Sequence, residues 1–152
     1  MRNFWILTIV LFSFACGNNY VYEKKIEIPS ATWQYDNDIT YEFEIEDIKA
    51  KYNLYLDVTH SDQFESQNFY TMIHTTYPSG RTVDSQISIE LADKLGQWHG
   101  KCNSEECQLR IVLQQGTFFK EQGLHQIVFE QYTRQESLKG IKALAFSVEQ
   151  VE

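Results

Sequence analysis

Residues 39–47 read ITYEFEIED. Tyr41, Phe43 and Ile45 fall at every second position, with Glu42, Glu44 and Glu46 between them. Successive side chains of a strand point to opposite faces, so a period of two writes one apolar face and one carboxylate face. The same period recurs along the chain. Leu54, Leu56 and Val58 oppose Tyr55 and Asp57; Ile87, Ile89 and Leu91 alternate with Ser88 and Glu90. Leu109, Ile111 and Leu113, then Ile127 and Phe129, then Leu144, Phe146 and Val148 follow it too. Such alternation marks half-buried strands. Turn residues punctuate them at Asp36-Asn37-Asp38, His60-Ser61-Asp62, Pro78-Ser79-Gly80, Asn103-Ser104 and Glu121-Gln122-Gly123. About eight or nine strands at this spacing predict an all-β, single-domain antiparallel β-sandwich, jelly-roll or Ig-like. An up-and-down barrel is the lesser alternative, because periodicity does not fix connectivity. Only LADKLGQW (91–98) suggests a helical turn, ended by Gly96.

The chain opens differently. FWILTIVLFSFAC (4–16) holds 12 residues from Phe4 to Ala15, after the short basic start Met1-Arg2-Asn3. A helix needs roughly 20 apolar residues to span a bilayer, so this run is too short. A basic start, a short apolar run and a small residue at its end make a secretory signal. Ser13-Phe14-Ala15-Cys16 resembles a bacterial lipobox, in which cleavage precedes a lipid-modified cysteine; Ala15 and Cys16 fit, while Ser13 and Phe14 depart from the usual residues. The expected organisation is a lipoprotein signal peptide over 1–15, a lipidated Cys16 with a short tether to 20, and the sandwich over 21–152. One acyl chain holds a protein only marginally, at about 0.8 kcal/mol per buried methylene, whereas two or three hold it durably.

Without its leader the chain keeps 137 residues, a common size for one domain. The 13 Lys and Arg less Arg2 leave 12, against 21 Asp and Glu, a net charge of −9. That argues against nucleic acid as a partner, since phosphate recognition needs a basic patch. With Cys16 assigned to lipid, Cys102 and Cys107 remain in KCNSEECQL. Exported proteins keep disulfides, so the pair reads as a bridge across a tight loop. Zinc would need further ligands nearby, and thioredoxin-type motifs use closer spacing in a βαβ context. No metal or cofactor is expected.

Candidate catalytic groups are sparse. His60, His74, His99 and His125 do not sit at metal-ligand spacing. His74 and His125 lie inside strands, where a hydrogen-bonded structural imidazole is the commoner role. His60-Ser61-Asp62 contains the residue types of a triad, but neighbours in one turn cannot converge as nucleophile, base and orienter. The paired carboxylates of 42–46 form a solvated strand face, and no phosphate-cradling glycine loop opens a helix. No catalytic residues are assigned and the chain is expected not to be an enzyme. Trp33 in SATWQYDND and Trp98 in GQWHGKC lie outside the alternating segments. They are candidates for stacking on a glycan or burying in a partner, or else for lids over the core.

The whole chain resembles the GldH family of gliding motility lipoproteins of the Bacteroidetes. The resemblance is carried by VYEKKIEIPSATWQYDNDITYEFEIED (21–47), YNLYLDVTHSDQFESQNFYTMIHTTYPSGR (52–81), GQWHG (96–100), GLHQIVFEQYTR (123–134) and LKGIKALAFSVE (138–149). Leu124-His125 stands where Lys-Tyr is common, Cys102 and Cys107 replace a Gly-rich loop, and Ala143-Leu144-Ala145 replaces Asp-Val-Gly. The resemblance implies a non-catalytic lipoprotein of the outer membrane, needed for gliding motility and type IX secretion, and working as a scaffold or adaptor with other motility lipoproteins. The only functional position it transfers is Cys16. GNNYVYE (17–23) lacks the acidic run of many surface-exported lipoproteins, which favours the periplasmic side. A glycan-binding envelope lipoprotein is the alternative.

Overall fold

The computed structural model describes residues 19–152, and all of them belong to a β-built body. The leader 1–15 and Cys16 lie outside the described residues. Eleven strands follow in order: β1 (Tyr20–Glu27), β2 (Thr32–Gln34), β3 (Ile39–Ile45), β4 (Lys51–Ser61), β5 (Asn68–Thr76) and β6 (Thr82–Glu90), then β7 (Lys101–Cys102), β8 (Glu106–Thr117), β9 (Gly123–Gln131), β10 (Ser137–Lys139) and β11 (Ile141–Val151). Eight are long; β2, β7 and β10 are the short additions that periodicity missed. Pairing begins at Tyr20, opposite Glu149, one residue earlier than the expected boundary.

A larger sheet has the order β1-β11-β4-β8-β7, a smaller one β3-β9-β5-β6, and β10 and β2 form a separate ribbon. All pairs are antiparallel. Numbering only the long strands, one sheet takes the first, eighth, third and sixth, and the other the second, seventh, fourth and fifth. That is the double Greek key of a jelly roll. It decides between the two sandwich topologies and against the up-and-down barrel.

Residues 39–45 alternate fully between buried and exposed, with Ile39, Tyr41, Phe43 and Ile45 inside. Tyr41 and Phe43 meet Phe146 of β11 at ring-centroid distances of 5.6 and 5.4 Å, and the Tyr41 hydroxyl donates to the Leu144 carbonyl at 2.7 Å. This bond ties the sheets together through the core, and burial pushes the phenol well above its usual pKa. Residues 91–98 form no helical turn. Ala92 bridges to Trp98, the Asp93 carboxylate accepts from the amides of Leu95 and Gln97, and Gly96 turns the chain at φ +82°. An aspartate that captures local amides competes with helix formation.

The strand directions give the body two different ends. At one lie the start of β1, the end of β11, the β3–β4 and β8–β9 loops and the β5–β6 turn. At the other lie the β2–β10 ribbon and the β4–β5, β7–β8 and β9–β10 connections. We call these the tether end and the distal end.

Candidate functional site

The two tryptophans both lie at the distal end, but not as a shared exposed face. Trp33 is fully buried under the ribbon, edge-on to Phe69 at 6.1 Å, with its indole N–H donating to the Asn37 carbonyl at 2.8 Å. A ring with no accessible face cannot stack on a sugar, so Trp33 lids the core and offers no contact to a ligand. Trp98 is half-buried, 4.9 Å from His60, and its N–H donates to the Asp62 carbonyl at 3.0 Å. Phe64 lies within 6.0 Å of His60 and 6.4 Å of Phe69. The rings run in contact from Trp98 through His60, Phe64 and Phe69 to Trp33, a lid across the end of the core. His60 is buried in this lid and desolvation lowers its pKa.

Cys102 and Cys107 are joined across the β7–β8 pair, Cα atoms 4.0 Å apart. The bridge holds β7 against the distal half of β8. Gly100 lies at φ +81°, and a Cβ there would run into the Gln108 carbonyl. The two glycines of GQWHG thus serve a turn and a close backbone approach, while the tryptophan between them lids the core. His125 is buried in an aromatic box, stacked on Phe43 at 5.5 Å and edge-on to Phe119 at 4.9 Å. A ring therefore still fills the site. His74 bridges three strands on the smaller sheet's outer face, its ring bonding Asp84 on β6 and Glu130 on β9, both at 2.8 Å. These two carboxylates raise its pKa. No group of three or more His, Cys, Asp or Glu among the described residues is placed to hold a metal ion.

The open cleft at the distal end is bordered by tyrosines instead. Tyr35 follows β2, Tyr70 lies on β5 and Tyr132 follows β9. Backbone bonds gather them: the Tyr132 amide donates to the Tyr70 carbonyl at 3.1 Å, and the Tyr35 amide to the Glu136 carbonyl at 2.8 Å. The 132–136 loop is pinned from beneath by Gln131, fully buried, whose amide donates to the Gln135 carbonyl and accepts from Thr133. The three rings stay 50, 45 and 43% exposed. They border a cleft of about 710 Å³ with Asn68, Gln86 and Arg134. Half-exposed rings with a few convergent polar groups suit recognition of an amphipathic ligand. No single stretch of the sequence signals this cleft, since its rings come from three distant segments.

The body defines a class: a single-domain jelly-roll sandwich whose surfaces offer exposed rings and free strand edges. The chain belongs to the GldH lipoprotein family, whose model matches residues 20–148. A protein of Flavobacterium johnsoniae, "Gliding motility lipoprotein GldH", is 22% identical over 152 residues, covering 95% of this chain and 94% of its own length. Membership in a family of lipoproteins makes this a membrane-anchored protein of the envelope. Among solved structures, tripeptidyl peptidase 2 aligns with a TM-score of 0.42 and 10% identity, over 83% of this chain. This chain spans only 10% of that peptidase. An infectious bursal disease virus structure aligns over 95% of this chain and 35% of its own, at 14% identity and a TM-score of 0.28. Neither likeness bears on function.

Proposed function

We propose that this protein is a non-catalytic lipoprotein of the outer membrane, facing the periplasm and lipidated on Cys16, that serves gliding motility and type IX secretion as a scaffold or adaptor for other motility lipoproteins. The observation that carries this reading is the opposition of the two ends. Strand β1 starts at Tyr20, four positions after Cys16, while the tyrosine cleft opens at the far end of the same strands. A lipid on Cys16 sets the first end at the membrane and presents the second to partners. The motility role follows the name carried by the Flavobacterium relative, which matches nearly end to end.

A clean deletion of the gene is expected to abolish spreading on agar and to block secretion of cargo adhesins. Complementation with the wild-type gene restores both, and complementation with Cys16→Ala does not. A deletion strain that spreads and secretes normally overturns the proposal. Crosslinking in intact envelopes, with the lipoprotein as bait, identifies the adaptor's partners.

The tyrosine cleft specifically supports a second reading, binding of an envelope glycan. Aromatic faces stack on the C–H faces of sugars, while Asn68, Gln86 and Arg134 supply hydrogen bonds. Affinity electrophoresis through gels containing envelope polysaccharide tests it. Retardation lost in a Tyr35→Ala, Tyr132→Ala double variant supports it, and no retardation of the wild type removes it.

A further inference from the structure

Strand β6 is the last strand of the smaller sheet, and among the described residues no strand pairs with its outer edge. The β5–β6 register runs without a shift from Thr82 to Glu90. Just beyond its two ends, the Tyr77 amide donates to Arg81 at 2.9 Å and the Leu91 amide to Gln67 at 2.7 Å. Opposed residues of an antiparallel pair alternate between bonded and non-bonded. Residues 83, 85, 87 and 89 therefore spend their backbone groups on β5. Thr82, Asp84, Gln86, Ser88 and Glu90 point their N–H and C=O groups away from the sheet. Proteins usually guard such an edge with lysine, proline, a bulge or a covering segment. The nine residues TVDSQISIE contain no lysine, arginine or proline, and the run has no bulge.

The other edge on this side, β8, is guarded. The disulfide-linked β7 covers its distal tip, pairing with Cys107 and Gln108. Nearer the tether end, irregularities in the β4–β8 register bend it, and the Asn53 side chain accepts from the Gly116 amide at 2.8 Å. Between β6 and β8 the sandwich opens into a groove of about 460 Å³, lined by Ile73, Val83, Ile87, Leu113 and Phe118. Val83 and Phe118 are 42 and 52% exposed. A strand added to β6 would thus lay one row of side chains into a groove where these apolar side chains lie beside Thr75, Ser85, Arg81 and Lys120. Its other row would join an outer face that carries Asp84, Glu90 and, further in, Glu130 and Glu42, with His74 among them.

We infer that β6 is an open docking edge that accepts an extended segment of a partner protein as an added antiparallel strand, and that this segment alternates apolar with basic residues. The inference rests on the adaptor reading and names the chemistry of the partner. Main-chain bonds to the even-numbered residues supply affinity, and the groove and the acidic face choose the sequence. A second copy of this chain is disfavoured. Antiparallel self-pairing of β6 would set two acidic faces side by side, where like charges repel.

The test uses the lipidated protein in detergent micelles and fluorescent nine-residue peptides. One alternates lysine with isoleucine and valine; the control replaces every lysine by glutamate. Gln86→Pro removes one outward N–H and no β5–β6 bond, so it spares the fold while blocking the added strand. The lysine peptide is expected to bind the wild type, the Gln86→Pro protein at least about tenfold more weakly, and an Asp84→Asn, Glu90→Gln protein several-fold more weakly. The glutamate peptide is expected not to bind. Equal binding to wild type and Gln86→Pro, or no binding at all, overturns the inference. Should Gln86→Pro fail to fold, hydrogen exchange decides: the amides of Asp84, Gln86 and Ser88 gain protection with peptide, and unchanged exchange overturns it. A stable dimer that loses these same amides to self-pairing also overturns it. Failure of every peptide arm, beside a deletion that still blocks gliding and secretion, removes the docking edge alone. A deletion without phenotype removes the adaptor reading.

Discussion

The two long sides of the sandwich follow one alternating pattern and end differently. On the closed side β1 and β3 meet, and their inward rings fill the space between the sheets together with Phe146 of β11: Tyr22, Tyr41, Phe43 and Phe146 lie at centroid distances of 5.4 to 6.1 Å. On the open side the inward positions of β5 and β6 along the groove include Thr75, Val83 and Ser85, short side chains that border the opening toward β8. Alternation chooses which residues face inward, but side-chain volume chooses which edges meet. The large rings seal one side, and the small hydroxyl residues leave a groove along the other.

The sharpest way to break this contrast is Phe146→Ala. The ring also touches Phe129 at 6.2 Å and is fully buried. Its loss should cost about 3–5 kcal/mol in chemical denaturation; a cost under about 1 kcal/mol would mean that the closed side is not packed as described. Next in size is the Cys102–Cys107 bridge, which secures the cover on β8. Reducing it should lower stability by about 2 kcal/mol and speed hydrogen exchange in the distal half of β8 while leaving β1 and β3 unchanged. Ser85→Val, on the open side, should change stability by no more than about 0.5 kcal/mol, because added bulk meets a groove rather than a packed core. A cost of several kcal/mol there would show that the groove is closed in solution.

The smallest effect comes from His74, whose carboxylate partners hold β5, β6 and β9 together on the outer face. Its folded pKa lies above that of the unfolded chain, so its stabilisation is fully present below about pH 6.5. It disappears as pH rises through the raised folded value. Wild type should therefore exceed His74→Gln in stability at pH 5.5, by about 0.5 kcal/mol or less after solvent screening, and match it at pH 9. A difference independent of pH would refute the ion-pair account.

Much of the fold was legible where one face is buried and the other solvated, as in β3, β4, β8 and β11. There a single chemical contrast repeats at every residue. Strand β5 reads less clearly, because its outward row contains Tyr70 and Met72 and its inward row Thr71 and Thr75. For Trp33 the sequence leaves contact and lid both open, because its neighbours Thr32, Gln34 and Tyr35 show no alternation that would assign it a face. It is buried because β2 is clasped by β10, whose Leu138 pairs with Trp33 from far along the chain. Pairing over such separations leaves no local trace. The tyrosine cleft was hidden for the same reason, and the free edge of β6 became visible only once the strand order was known.

The course of β1 has a mechanical consequence. It is an edge strand that starts at the tether end, runs to the distal end and pairs with β11 without a break from Tyr22 to Glu27, after one register shift between Tyr20 and Tyr22. A pull between a lipid at the front of the chain and a partner at the far end acts along that strand. Such tension shears the β1–β11 ladder, so its bonds resist together rather than opening one after another like a zip. On the anchored reading proposed above, a body hung in this way would resist a pull away from the membrane without coming apart at its own first strand.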